Sequence, residues 1–215
     1  MTDPEKPLLR GVSHELAFFA ALGAGAVLIA MAPTAHAALA TSVYVVSLAA
    51  MLGISASYHR GPWGPRGRAL WQRADHAMIF LFIAGSYTPI CLLALGGNDG
   101  LQLLGLAWVG AGAGVLRAIF WPRAPRVITA GLYVVLGWAL VIYWRDVAAA
   151  LGPASRALIV AGGVLYTAGA LVYATRRPDP SPRVFGYHEV FHVLVIAASI
   201  CHFAAVVALV RQHGS

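Results

Sequence analysis

Three stretches of this sequence carry residues whose types and spacing suit metal chemistry. His188 and His192 stand four apart, so on a helix they share one face about a turn apart, the separation at which two imidazoles can hold one metal ion. Ser55 and His59 repeat that spacing earlier in the chain, and Asp75 follows at the head of another apolar run. Three neutral imidazoles and a water make an open tetrahedral zinc site, in which the water is acidified to a pKa of about 7. A lone histidine at a helix end is ordinarily a cap or a headgroup contact. Three histidines, an aspartate and a serine brought to one depth point to a metal site instead.

His188-Glu189-Val190-Phe191-His192 also spells H-E-x-x-H, the zincin signature, in which the glutamate serves as general base. A metalloprotease would need a further ligand, and no Asp or Glu follows Glu189 before Ser215. Glu189 lies about 100° round the helix from His188, where a neighbouring helix or a basic rim is its expected partner. The protease reading is set aside.

Composition names the elements that must position these residues. The chain has 215 residues, 60% hydrophobic and 11% charged, far from the balance of a soluble domain. Seven apolar runs, at 14–33, 37–58, 75–95, 100–120, 127–144, 156–174 and 187–210, each approach the ~20 residues that cross a bilayer. Pro33, Gly61–Gly67, Gly96–Gly100, Trp121-Pro122, Gly152-Pro153 and Pro178–Pro182 punctuate them. The expected architecture is all-α: a polytopic membrane protein, one domain over 1–215, built as a seven-transmembrane helix bundle. The net charge of +7 comes from arginines in short gaps between apolar runs, which indicates a membrane surface and not nucleic acid. Cys91 and Cys201 lie inside apolar runs and read as small buried hydrophobes. Ala35-His36-Ala37 imitates a signal-peptide cleavage site, but Asp3 and Glu5 dilute the basic leader and the run is long, so cleavage is not expected.

Basic residues orient the bundle. With the N-terminus in the cytoplasm, that side receives Lys6, Arg10, Arg60, Arg66, Arg68, Arg73, Arg117, Arg123, Arg126, Arg176, Arg177 and Arg183, leaving Arg145, Arg156 and Arg211 opposite. The expectation is N-in and C-out, as a multi-pass protein of the cell's inner (plasma) membrane. His59 then ends the second span, Asp75 opens the third, and His188 and His192 open the seventh, all in one cytoplasmic layer.

The other histidines carry weaker signals. His14, with Glu15, opens the first span in the same layer and suits either a supporting or an interfacial role. His202 lies ten residues beyond His192, too far to share its metal, and suits a buried polar contact with Ser199 or another helix. His76 points about 100° away from Asp75, and His36 and His213 belong to the opposite face. Trp63, Trp71, Trp121 and Trp144 sit near span ends, as an interfacial belt does. Pro89 should kink the third span.

These residues resemble a known family. Ser55-Ala56-Ser57-Tyr58-His59, Asp75 leading to Ile83-Ala84-Gly85-Ser86-Tyr87-Thr88-Pro89, and Phe185-Gly186-Tyr187-His188-Glu189-Val190-Phe191-His192 with His202 beyond look like the bacterial hemolysin III proteins. Those belong with the progestin and adipoQ receptors, which include the adiponectin receptors. The resemblance spans essentially the whole chain. It implies zinc held near the cytoplasmic face by His59, His188 and His192, with Asp75 holding the water at the open position and Ser55 beside the metal. The adiponectin receptors have Gln where this chain has Glu189, which implies that Glu189 is not indispensable to the shared site. Alkaline ceramidases have a similar site, which makes lipid-amide hydrolysis the leading chemistry, with membrane lipids as partners. No amphipathic pore-forming segment accounts for a lytic activity.

Two functions follow. One is a zinc hydrolase cleaving an amide or ester in a membrane lipid, with Asp75 as base and Ser55 steadying the oxyanion. The other is a non-enzymatic sensor, channel or lytic protein in which zinc is structural.

Overall fold

The structure is a computed structural model that describes residues 6–213; Asp3 and Glu5, which bear on the signal-peptide question, lie outside them. Among the described residues, seven segments are long and apolar enough to cross a membrane. The helices are α1 (Val12–Ala30), α2 (Ala35–Arg60), α3 (Pro65–Pro89), α4 (Gly97–Phe120), α5 (Arg126–Gly137), α6 (Trp144–Ala150), α7 (Pro153–Thr175) and α8 (Tyr187–Gln212). The sequence-based fifth span is α5 and α6 joined through a 3-10 segment, Ala139–Tyr143, and the seventh is α8. No strand occurs among the described residues.

The packing order follows the chain, with α1 on α2, α2 on α3, α3 on α4 and α7 on α8, and α1 closes back onto α8. Tyr44, Phe80, Leu28, Leu103 and Leu209 are fully buried between the helices, whereas Phe19, Val109, Phe120, Val135 and Ile142 face outward. Large aliphatic and aromatic side chains on the outer surface suit a hydrocarbon solvent, in which they need no burial.

Two expectations are corrected. The third span does not open at Asp75: α3 begins ten residues earlier, at Pro65 in the first turn, where its fixed φ favours helix and its missing N–H is not needed. The arginine-bearing turns Arg66–Arg73 precede the apolar stretch, so hydropathy alone does not register them as part of the span. The fifth span does not end at Trp144 but continues to Ala150, and it is broken at its middle. Near Pro89 the helix passes into a π-helical segment, Ile90–Leu95, as befits a proline that cannot donate to the preceding turn.

Candidate metal centre

Each site residue is placed by a helix end that the local sequence defines. Thr34 caps α2, its hydroxyl accepting from the Ala37 amide at 3.1 Å, and the helix runs to Arg60, which puts Ser55 and His59 on the inner face of its last turns. At the head of α8, Glu189 accepts from the Gly186 amide at 2.8 Å and Asp179 accepts from the Tyr187 amide at 2.8 Å. These side chains satisfy amides that a helix start leaves unpaired. The first turn is thereby fixed, and with it His188 and His192.

The three histidines expected to meet do so. One ring nitrogen each from His59, His188 and His192 lies within 4.8 Å of the other two, and the His59 and His188 Nε2 atoms are 3.0 Å apart. His59 and His192 are buried and His188 is partly buried. Asp75 joins them, its Oδ2 lying 4.0 Å from His59 Nε2, a separation that a water can bridge. Asp75 faces this cluster and makes no ion pair with Arg73. Ser55 is buried beside it and interacts with the Asp75 carboxylate.

The donor set could hold a metal ion. Two imidazole nitrogens 3.0 Å apart cannot both present a proton to each other, so at least one offers a lone pair, and three imidazoles with no carboxylate among them suit a metal that takes nitrogen ligands.

Sequence reasoning left two neighbours unresolved. His14 is 2% exposed and stacks face to face on His192, ring centroids 3.7 Å apart and planes within 5°. Glu189 points away from the histidines: it pairs with Arg10, from the segment before α1, besides capping α8. That segment is a strap. The amides of Leu8 and Leu9 donate to the carbonyls of Arg183 and Val184 at 3.0 and 3.1 Å, and Gly11 turns the chain into α1 with φ of 79°. A Cβ at Gly11 would come 2.8 Å from the Cβ of His59, so the strap lies directly on the histidine cluster. Arg10 carries no periodic signal in the sequence; only its paired partner, 179 positions away, reveals its task.

A cavity runs inward from the cluster, with about 950 Å³ of unfilled space including the part that opens outward. Asp75, Ser55, His14 and His192 stand at one end, Ile79, Phe82 and Val195 line the middle, and Trp138, Tyr166 and His202 stand deeper. His36 hydrogen-bonds the Leu92 carbonyl at 3.4 Å and His213 that of Leu209 at 3.0 Å, both away from the cluster. Cys91 and Cys201 are free thiols.

Residues 2–203 match the haemolysin-III-related family. The chain belongs to that family. Haemolysin-III-related relatives include Hemolysin-3 of Bacillus cereus, 30% identical over 182 residues that cover 85% of this chain and 80% of the relative. The Hemolysin-3 homolog of Bacillus subtilis (strain 168) is 31% identical over 61% of this chain and 59% of its own length. The heptahelical transmembrane protein ADIPOR2 of Oryza sativa subsp. japonica is 29% identical over 79% and 81%. The family and the seven spanning helices together make this a haemolysin-III-related, multi-pass membrane protein.

Proposed function

We propose that this haemolysin-III-related protein is a zinc-dependent hydrolase that cleaves an amide or ester in a membrane lipid. The observation that carries the reading is that His192, a member of the histidine cluster, lines one end of a largely apolar cavity together with Asp75, which lies beside His59. His59, His188 and His192 would hold the metal. Zinc so held supplies a Lewis acid that polarises a carbonyl and lowers the pKa of water.

The remaining work falls to the chain's own side chains. The cavity walls take the acyl chain and place its carbonyl at the polar end, where water is otherwise scarce. Asp75 accepts a proton from the attacking water and returns it to the departing amine or alcohol, so the products are a fatty acid and the freed headgroup. The Ser55 hydroxyl donates a hydrogen bond where negative charge develops on the carbonyl oxygen. His14 backs the His192 ring and fixes its plane. In this arrangement a membrane lipid is the partner and no nucleic acid is involved.

The test is metal analysis of the purified protein, followed by turnover of lipid amides and esters with and without a chelator. Zinc near one per chain and chelator-sensitive turnover support the proposal. Bound zinc with no turnover of any lipid would leave the metal a structural role in a non-enzymatic protein.

A further inference from the structure

Ten residues beyond His192, the same helix carries His202 into the same cavity. At 1.5 Å per residue that is about 15 Å deeper into the bundle. Ionisable side chains at membrane depth are costly and ordinarily mark a task, and the hydrolytic reading gives this one none.

The ring of His202 is held from several sides. Its Nε2 lies 3.3 Å from the carbonyl oxygen of Ile159 on α7. Gly162, one turn further along α7, makes room for it, since a Cβ there would fall within the imidazole. Tyr166 meets it edge-on, ring centroids 5.3 Å apart. Because a carbonyl oxygen only accepts, Nε2 carries the hydrogen and Nδ1 keeps its lone pair. Nothing among the described residues donates to Nδ1. The hydroxyls of Tyr166, Ser199 and Ser86 are engaged elsewhere: Tyr166 with Ser199 at 2.8 Å, Ser199 with the Val195 carbonyl at 2.8 Å, and Ser86 with the Ile83 carbonyl at 2.7 Å. A second, smaller and mostly apolar pocket borders His202 on its far side, between Ile90, Leu151 and Leu209.

We propose that His202 is a second polar subsite of the cavity, an acceptor for a hydroxyl group carried partway along the acyl chain of the bound lipid. This rests on the reading that the cavity takes a lipid chain with its carbonyl end at Asp75. The hydroxyl must lie roughly 15 Å from that end, matching the rise from His192 to His202. An isolated water is a poorer occupant, because buried waters need two to four polar partners and the walls here are mostly apolar.

Oleic and ricinoleic acids are suitable probes, since they share one chain except for a mid-chain hydroxyl in the second. Each is titrated against a fluorescent fatty acid bound to the purified protein in detergent. Ricinoleic acid should bind more tightly by about 5-fold, the worth of one neutral hydrogen bond. His202→Leu should abolish that preference, whereas His202→Asn, which keeps an acceptor oxygen, should retain it. Equal binding of the two acids to the unsubstituted protein overturns the subsite and leaves the lipid-cavity reading standing, and this comparison decides even where the leucine variant fails to fold. A preference that survives His202→Leu overturns the role of His202. Failure of both acids to displace the fluorescent chain overturns the lipid-cavity reading and the subsite with it.

Discussion

On the proposed hydrolytic function, Asp75 is the residue at which chemistry and mere metal binding part company. It sits 4.0 Å from His59 Nε2 and is not one of the three clustered histidines. Asp75→Asn should therefore keep the metal, as checked by elemental analysis, while lipid turnover falls by about 10²- to 10⁴-fold. Retained turnover would remove Asp75 from the reaction. His59→Ala, His188→Ala and His192→Ala should each lower metal content, whereas His36→Ala and His213→Ala, whose rings bind carbonyls elsewhere, should not. The histidine cluster was legible in the sequence, because the i, i+4 spacing and the alternation of spans bring those positions together whatever the side-chain details. His14 and Arg10 were not. A ring stacked on another ring and an ion pair between residues 179 apart depend on how α1 leans on α8, and no local pattern encodes that lean.

At the scale of elements, the broken fifth span shows where one side chain supports backbone. The Tyr87 hydroxyl on α3 donates to the carbonyls of Leu136 and Gly137, at 3.0 and 2.7 Å, and accepts from the Leu140 amide at 3.0 Å. These bonds gather backbone groups on both sides of the interruption at Trp138, where hydrocarbon would offer no partner. Tyr87→Phe should destabilise the protein by about 1–3 kcal/mol, measured as a fall in thermal midpoint in detergent with metal content unchanged. Gly11 makes a second case: its left-handed φ and the closeness of His59 both exclude a side chain. Gly11→Val should lower stability and metal content together, since the strap would be forced off the histidine cluster. Span positions were readable from hydropathy to within a few residues at most ends, but α3's early start and the α5 break were not. Arginine-rich turns escape a hydropathy count, and the break depends on a hydroxyl 50 residues away.

For the whole molecule, the basic residues carry a proposal about orientation. With seven spans, twelve of the fifteen Lys and Arg belong to the side shared by the N-terminus and the histidine cluster, and we propose on that ground that this side faces the cytoplasm. Reporter fusions at Asn98 and after the last residue should both report the outer side; a cytoplasmic signal from the C-terminal fusion would refute N-in, C-out. Because the cluster joins α2 to α8, a chelator should lower the thermal midpoint of the whole bundle and added zinc should restore it.

The strap over the histidines also constrains the order of assembly. Leu8, Leu9 and Arg10 leave the ribosome before any span does, yet their partners are Arg183, Val184 and Glu189, beside the last helix to be made. Their docking must close a loop of nearly the whole chain, which is the slowest kind of contact to form. Where spans enter the bilayer one at a time and then associate, the histidine cluster forms only when α8 brings His188 and His192 to His59, and the strap can cover it only after that.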